Sequence, residues 1–180
     1  MSTNLSGHSL APVRASRAAI EGYAEEIAGI FSFNPGDALE PVVADLGGTI
    51  EYRNPVSSGN EPPESIAIRS SESFTIYLGK MNSSERDRLT IAHELGHLFL
   101  HYPLFTERHI GETMVVSRWV DETDPSQILG EWEANWFAAA FLMPEAKFRA
   151  ACLRMELPGV AGLFAVSLSA AELRKRSLVA

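Results

Sequence analysis

Ile20, Tyr23, Ala24, Ile27, Ile30 and Phe31 recur at three- and four-residue spacing, with Glu21, Glu25 and Glu26 between them. That period marks an amphipathic helix over about residues 15–31. Asn34-Pro35-Gly36 interrupts it, Asp37 is placed to cap a short helix reaching about residue 46, and Gly47-Gly48 ends that helix. The pattern then changes to short β-prone runs at 49–52, 65–68 and 74–78. Residues 53–63, rich in proline, serine and asparagine, read as a loop, and the serines of 69–73 as the turn of an antiparallel hairpin. Asn82, Ser83 and Ser84 are N-cap candidates and Glu85 and Asp87 suit a first turn, so a helix runs from here to about residue 102, where Pro103 stops it.

Patterning is weak across 104–130, where 113–120 reads as a strand and 121–126 as a surface turn. Helices follow over about 128–142 and 145–157, the second closing at Pro158-Gly159. Ser169-Ala170-Ala171-Glu172 has the form of a capping box that opens a last helix. The sum is an α+β fold: a small, mostly antiparallel sheet of about three to four strands packed on helices. One domain over 14–180 is expected, preceded by a flexible arm over 1–13.

Composition narrows the chemistry. With 15 Lys and Arg against 23 Asp and Glu, the chain lacks the basic excess that neutralises phosphates, so direct nucleic-acid binding is not expected. No apolar run is long enough for a membrane helix, and the first residues lack the apolar stretch of a signal peptide; a cytoplasmic protein is the expectation. Cys152 is the only cysteine, so an internal disulfide and a thiolate cluster are both excluded, and any metal must be held by His and carboxylates.

Such a set is present. His93-Glu94-Leu95-Gly96-His97 lies inside the helix expected over 84–102, flanked by Leu89, Ile91, Ala92, Leu98 and Phe99. Residues four apart share one helix face, so His93 and His97 can direct two imidazoles at one zinc ion. Glu94 sits about 100° around the helix, beside the ion, where it can act as general base toward a water. The third ligand is sought in the helix over 128–142. Glu131 and Glu133 are roughly 200° apart on it, so only one can face the ion. Glu131 is chosen, because Asn135 shares its face and can orient a ligating histidine through its second nitrogen. Glu133 is then a solvated or capping charge, with the alternative that it is the ligand. His101 cannot join His93 and His97 on one ion from a straight helix, since His93 and His101 would be about 12 Å apart along the axis; it reads as a supporting or structural group. His8 and His109 have no spacing partner. Tyr77, Tyr102, His109 and Arg118 are possible oxyanion donors, and nothing in their spacing selects one.

The Arg-Leu-Thr-Ile-Ala-His-Glu-Leu-Gly-His run with His101 after it, together with Glu-Trp-Glu-Ala-Asn-Trp-Phe-Ala-Ala-Ala-Phe-Leu-Met-Pro, resembles the ImmA/IrrE family of metallopeptidases. The resemblance covers most of residues 15–145. It implies a zincin-like helical core and a thermolysin-like arrangement in which His93, His97 and Glu131 bind one Zn2+ and Glu94 activates the water. It also implies a protein substrate, a helix-turn-helix repressor encoded nearby whose cleavage relieves repression. Two alternatives belong to other classes: a regulator that removes the repressor by binding alone, and a toxin–antitoxin-associated peptidase with another target. In thermolysin-like sites the substrate pairs with an edge strand beside the active-site helix, and 74–78 is expected to be that strand.

Overall fold

The computed structural model describes residues 10–53, 64–118 and 121–179. Helix α1 spans Arg17–Ile30; the Ser16 side chain accepts the Ala19 N–H at its start, and its buried stripe is Ile20, Ala24, Ile27 and Ala28. Helix α2, Glu40–Asp45, has no side-chain cap. Asp37 does not cap it, because its carboxylate accepts the Asn34 N–H at 2.7 Å and closes the preceding turn. Gly47, at φ 79°, makes the left-handed turn into strand β1, Gly48–Arg53. A Cβ there would lie 2.1 Å from the Glu72 carbonyl oxygen, so the position requires glycine on both counts.

Strands β2 (Glu64–Ser70) and β3 (Ser73–Gly79) form the expected antiparallel hairpin. β1 pairs in parallel with β3, and β4, Met114–Ser117, pairs antiparallel with β2, which gives a four-stranded sheet in the order β1-β3-β2-β4. The expectation that 74–78 forms an edge is overturned, since β3 is flanked on both sides. The cause is visible in its burial: Phe74, Thr75, Ile76, Tyr77 and Leu78 are all buried, as suits a strand covered on both faces, whereas β4 alternates between buried and half-buried positions.

Helix α3, Ser84–Gly96, is capped by Ser83, whose side chain accepts the Arg86 N–H. It passes directly into a π-helical turn, His97–His101, and then into α4, Tyr102–Arg108. Pro103 therefore does not stop the helix. A proline within an α-helix lacks the N–H and collides with the carbonyl four residues back. In the wider turn the Tyr102 N–H is donated to the His97 carbonyl, and Pro103 falls in the first turn of α4, where no intrahelical N–H is required.

Helix α5, Pro125–Leu142, begins ahead of Ile128 because the Asp124 side chain accepts the N–H groups of Ser126 and Gln127. The span 145–157 ends earlier than its pattern suggests: α6 is Glu145–Cys152, and Pro158 lies in the first turn of α7, Leu157–Phe164, so it opens a helix instead of closing one. Helix α8, Leu168–Ser177, is capped by Ser167 and not Ser169, the Ser167 hydroxyl accepting the Ala170 N–H at 3.2 Å. No single helix among the described residues is long and apolar enough to cross a membrane.

The core lies where β3, α1, α3 and α5 meet, with Ile76, Ile20, Leu95, Phe137 and Phe141 fully buried or nearly so. Arg174 of α8 is buried at the rim of this core. Its Nε donates to the Met143 carbonyl at 3.0 Å, and its Nη atoms lie 3.0 Å from Glu21 and 3.6 Å from Glu25 of α1. Pairing is what makes such a buried cation tolerable, and here it ties α1, the end of α5 and α8 together. Of the segment expected as an arm, Leu10 and Val13 pack partly buried against the core. Residues 1–9 with His8, residues 54–63 of the expected loop, and Trp119 and Val120 of the expected strand lie outside the described residues.

Helices α3 and α5 approach closely at Gly96, where an added Cβ would sit 3.0 Å from Ala134 Cα and 3.2 Å from the Ala134 carbonyl oxygen. Alanine is favoured over glycine in a helix by about 1 kcal/mol, but overpacking against backbone that cannot yield costs about 1–3 kcal/mol. Gly96→Ala is expected to lower the stability of the metal-free protein by up to about 2 kcal/mol in urea unfolding. A midpoint equal to or above the parent's would show that the two helices are not held this close.

Candidate metal centre

Helix α3 contributes His93 and, at its junction with the π-helical turn, His97; α5 contributes Glu131 from the facing wall. The two Nε2 atoms are 3.0 Å apart. Glu131 Oε2 lies 3.1 Å from His93 Nε2, and Oε1 lies 3.5 Å from His97 Nε2. Ligands about 2.0–2.1 Å from a tetrahedral ion stand roughly 3.3 Å from one another. Three donors already spaced in this way, all of types that hold zinc, make His93, His97 and Glu131 a group that can hold a metal ion.

Burial and charge shape each group differently. Burial pulls the His93 pKa down, but its hydrogen bond to Glu131, the charges of Glu94 and Glu131 and the contact with Asn135 outweigh it, so the net shift is upward. His97 is pushed well below its ordinary value by burial, with His93 and His101 adding to the effect. A neutral imidazole with a free lone pair is the form that ligates.

Glu94, 3% exposed, is raised from 4.5 to about 7, first by burial and then by the charge of Glu131, against the lowering effects of His93, Ser65 and Arg118. The Ser65 hydroxyl stands 3.2 Å from Glu94 Oε2 and 3.1 Å from the Val116 carbonyl. One hydroxyl carries one proton. When Glu94 is ionised, Ser65 can donate to it; when Glu94 is protonated, Glu94 donates to Ser65 and Ser65 to Val116. Either state of the carboxyl is thus served, which suits a group that takes up and releases a proton. Nothing in the sequence singles Ser65 out, because its place depends on the register of β2 against β4.

The two glutamates of α5 part company. Glu131 faces the histidine pair, with Asn135 beside it: His93 Nδ1 and Asn135 Oδ1 are 3.0 Å apart. Glu133, read from sequence as a solvated or capping charge, is fully buried instead. Burial would raise its pKa, but hydrogen bonds from His101 and from the N–H groups of Val13 and Arg14 prevail and hold it below the ordinary value. His101 lies behind His97, the Nδ1 atoms 3.0 Å apart, and does not reach the metal group.

Of the four proposed oxyanion donors, Arg118 alone lines the cavity around Glu94, among the described residues. Tyr77 is buried in β3 beneath the Arg53 guanidinium, the Tyr102 hydroxyl donates to the Arg69 carbonyl at 3.4 Å, and His109 stacks on Phe105 with ring centroids 4.6 Å apart. The cavity is walled by Arg86, Leu89 and Thr90 of α3, Ser65 and Ser117 of the sheet, and Asn135 of α5.

The family model described as the IrrE N-terminal-like domain, peptidase M78, matches residues 63–175. No curated protein matches the sequence. Among solved structures, a Mycobacterium tuberculosis transcriptional regulator shares the fold at a TM-score of 0.56 and 17% identity, over 85% of this chain and 45% of that one. This chain therefore spans less than half the length of that protein.

Because the folded pKa of Glu94 lies above 4.5, its burial costs little below pH 4.5, and the cost grows as pH rises through about 7 and Glu94 must ionise in place. The shift corresponds to about 3 kcal/mol. Without metal, Glu94→Gln is expected to be more stable than the parent by up to that amount at pH 8, with the difference nearly gone at pH 4.5. Equal chemical-denaturation curves for the two proteins at pH 8 would show that Glu94 is not desolvated.

Proposed function

The chain belongs to the IrrE N-terminal-like family of M78 peptidases, and from that premise we propose that it is a zinc-dependent endopeptidase that cleaves a helix-turn-helix transcriptional repressor. The observation that carries the activity is the convergence of His93, His97 and Glu131 within 4.8 Å beside a buried carboxyl poised at about 7. Zinc held by these three groups would polarise the scissile carbonyl and bring the pKa of a water toward neutrality.

The remaining work falls to the chain's own residues. Glu94 takes the proton of the attacking water and delivers it to the departing amine, with Ser65 compensating its change of charge. Asn135 and His101 hold the two imidazoles in orientation. Arg118 borders the cavity near Glu94 with one Nη donating to the Tyr77 carbonyl, and its cation would face the developing oxyanion. The strand β4, outermost in the sheet among the described residues, ends at Ser117 on the cavity wall, and its outer side is where an extended substrate would add. The repressor as target is supported by the family resemblance; the acidic balance of the chain, 15 basic against 23 acidic residues, favours a protein over a nucleic-acid partner.

Incubation with the helix-turn-helix protein encoded nearby is expected to yield two fragments, and Glu94→Gln to reduce the rate by about 10²–10⁴-fold while retaining zinc. Glu131→Gln is expected to lose zinc, and Glu133→Gln to keep the same three ligands while binding the ion about 10–100-fold more weakly. Loss of repression with intact repressor and an unaffected Glu94→Gln variant would favour removal by binding alone.

A further inference from the structure

Two hydrogen-bonding routes lead away from the metal ligands, and they differ in reach. Behind His93 there is one contact, Asn135, on the neighbouring helix. Behind His97 the route is longer. His97 Nδ1 lies 3.0 Å from His101 Nδ1, His101 Nε2 lies 3.0 Å from Glu133 Oε2, and the carboxylate accepts the Val13 N–H at 2.9 Å and the Arg14 N–H at 2.7 Å. His97, His101 and Glu133 are at most 1% exposed.

With His101 neutral and Glu133 ionised, donor and acceptor chemistry allows one arrangement of hydrogens along this route. A carboxylate only accepts, so His101 must carry its hydrogen on Nε2. A neutral His101 then has a lone pair on Nδ1, and the hydrogen between the rings must belong to His97 Nδ1. That leaves His97 Nε2 unprotonated and facing His93 and Glu131, as a ligand must be.

The far end of the route is backbone from a segment whose sequence suggests a loose arm. Arg14 takes φ 57°, a left-handed conformation that costs a non-glycine residue about 1 kcal/mol, and its N–H and that of Val13 both serve Glu133. Leu10 covers the same place. A Cβ at Gly130 would lie 2.5 Å from Leu10 Cδ2 and 3.7 Å from His101 Nε2, so Leu10 packs against α5 at a glycine beside His101.

We propose that residues 10–14, Glu133 and His101 are working parts of the metal centre: the segment's two amides fix Glu133, Glu133 fixes His101, and His101 fixes the tautomer and direction of His97. Glu133 and His101 are positioning residues, and the affinity for the metal depends on a stretch of chain about 120 positions away from the carboxylate it holds. A partner that draws residues 10–14 off α5 would loosen the metal without touching the cleft. The inference rests on His97 being a ligand.

The test uses the full chain. Val13→Pro removes one N–H from Glu133 and changes no side chain in the cleft; it is expected to weaken zinc binding about tenfold in a chelator competition, the low end of the 10–100-fold range for lost outer partners of metal ligands. A merely structural role would lower the unfolding temperature of the metal-free protein and leave zinc affinity unchanged, and that result would overturn the proposal. Nitrogen-15 histidine NMR of the unaltered protein gives a readout independent of any variant. His101 is expected as the Nε2–H tautomer, with His97 as the Nδ1–H tautomer and its proton protected from exchange. His101 found as the Nδ1–H tautomer while zinc binds normally would overturn the relay alone, whereas failure of the unaltered protein to bind zinc would overturn the peptidase reading and, with it, the claim that the relay serves a metal.

Discussion

Everything at this site follows from how closely α3 and α5 lie together. At Gly96 the two helices meet with no side chain between them, and a methyl group there would meet Ala134 backbone at 3.0 Å. That approach brings the donors of one helix to the donors of the other. At one turn Glu131 closes on His93 and His97, and at the next Glu133 closes on His101. The glycine inside the His-Glu-X-Gly-His segment is therefore a packing requirement between two helices as much as a feature of one.

Two buried glutamates show how environment assigns roles to one residue type. Glu94 is raised first by burial and then by the charge of Glu131, with Ser65 hydrogen-bonded to it, so its proton is held more tightly and can be exchanged near neutrality. Glu133 receives three N–H donors and is held as an anion. In the proposed mechanism the first would serve proton transfer and the second position.

The geometry of the candidate site was legible in the sequence wherever it depended on spacing within one helix. The separation of His93 from His97, the position of Glu94 and the choice of Glu131 by way of Asn135 all follow from 3.6 residues per turn. What was not legible depends on contacts between distant segments. Glu133 reads as a surface charge because the amides that bury it belong to Val13 and Arg14. Ser65 is one serine among many until β4 pairs with β2. The place of 74–78 in the sheet could not be read, because β1 joins β3 in parallel across a crossover that no local pattern announces. Prolines misled for a different reason: Pro103 and Pro158 each sit in the first turn of a helix, where the missing N–H does no harm, and a proline's identity alone does not say which side of a boundary it occupies.

The π-helical turn at His97–His101 bears on the history of the site as well as its geometry. Such a turn is what a helix becomes when it carries one residue more than its α register accommodates. Deleting one residue between His97 and Tyr102 would restore the regular helix and swing His101 by about 100°. His93 and His97, which precede the deleted position, would keep their places, while the link from His97 to Glu133 and the N-terminal segment would not survive. Chains with and without the extra residue would then share the His-Glu-Leu-Gly-His segment yet differ in whether His97 is tied to the start of the chain.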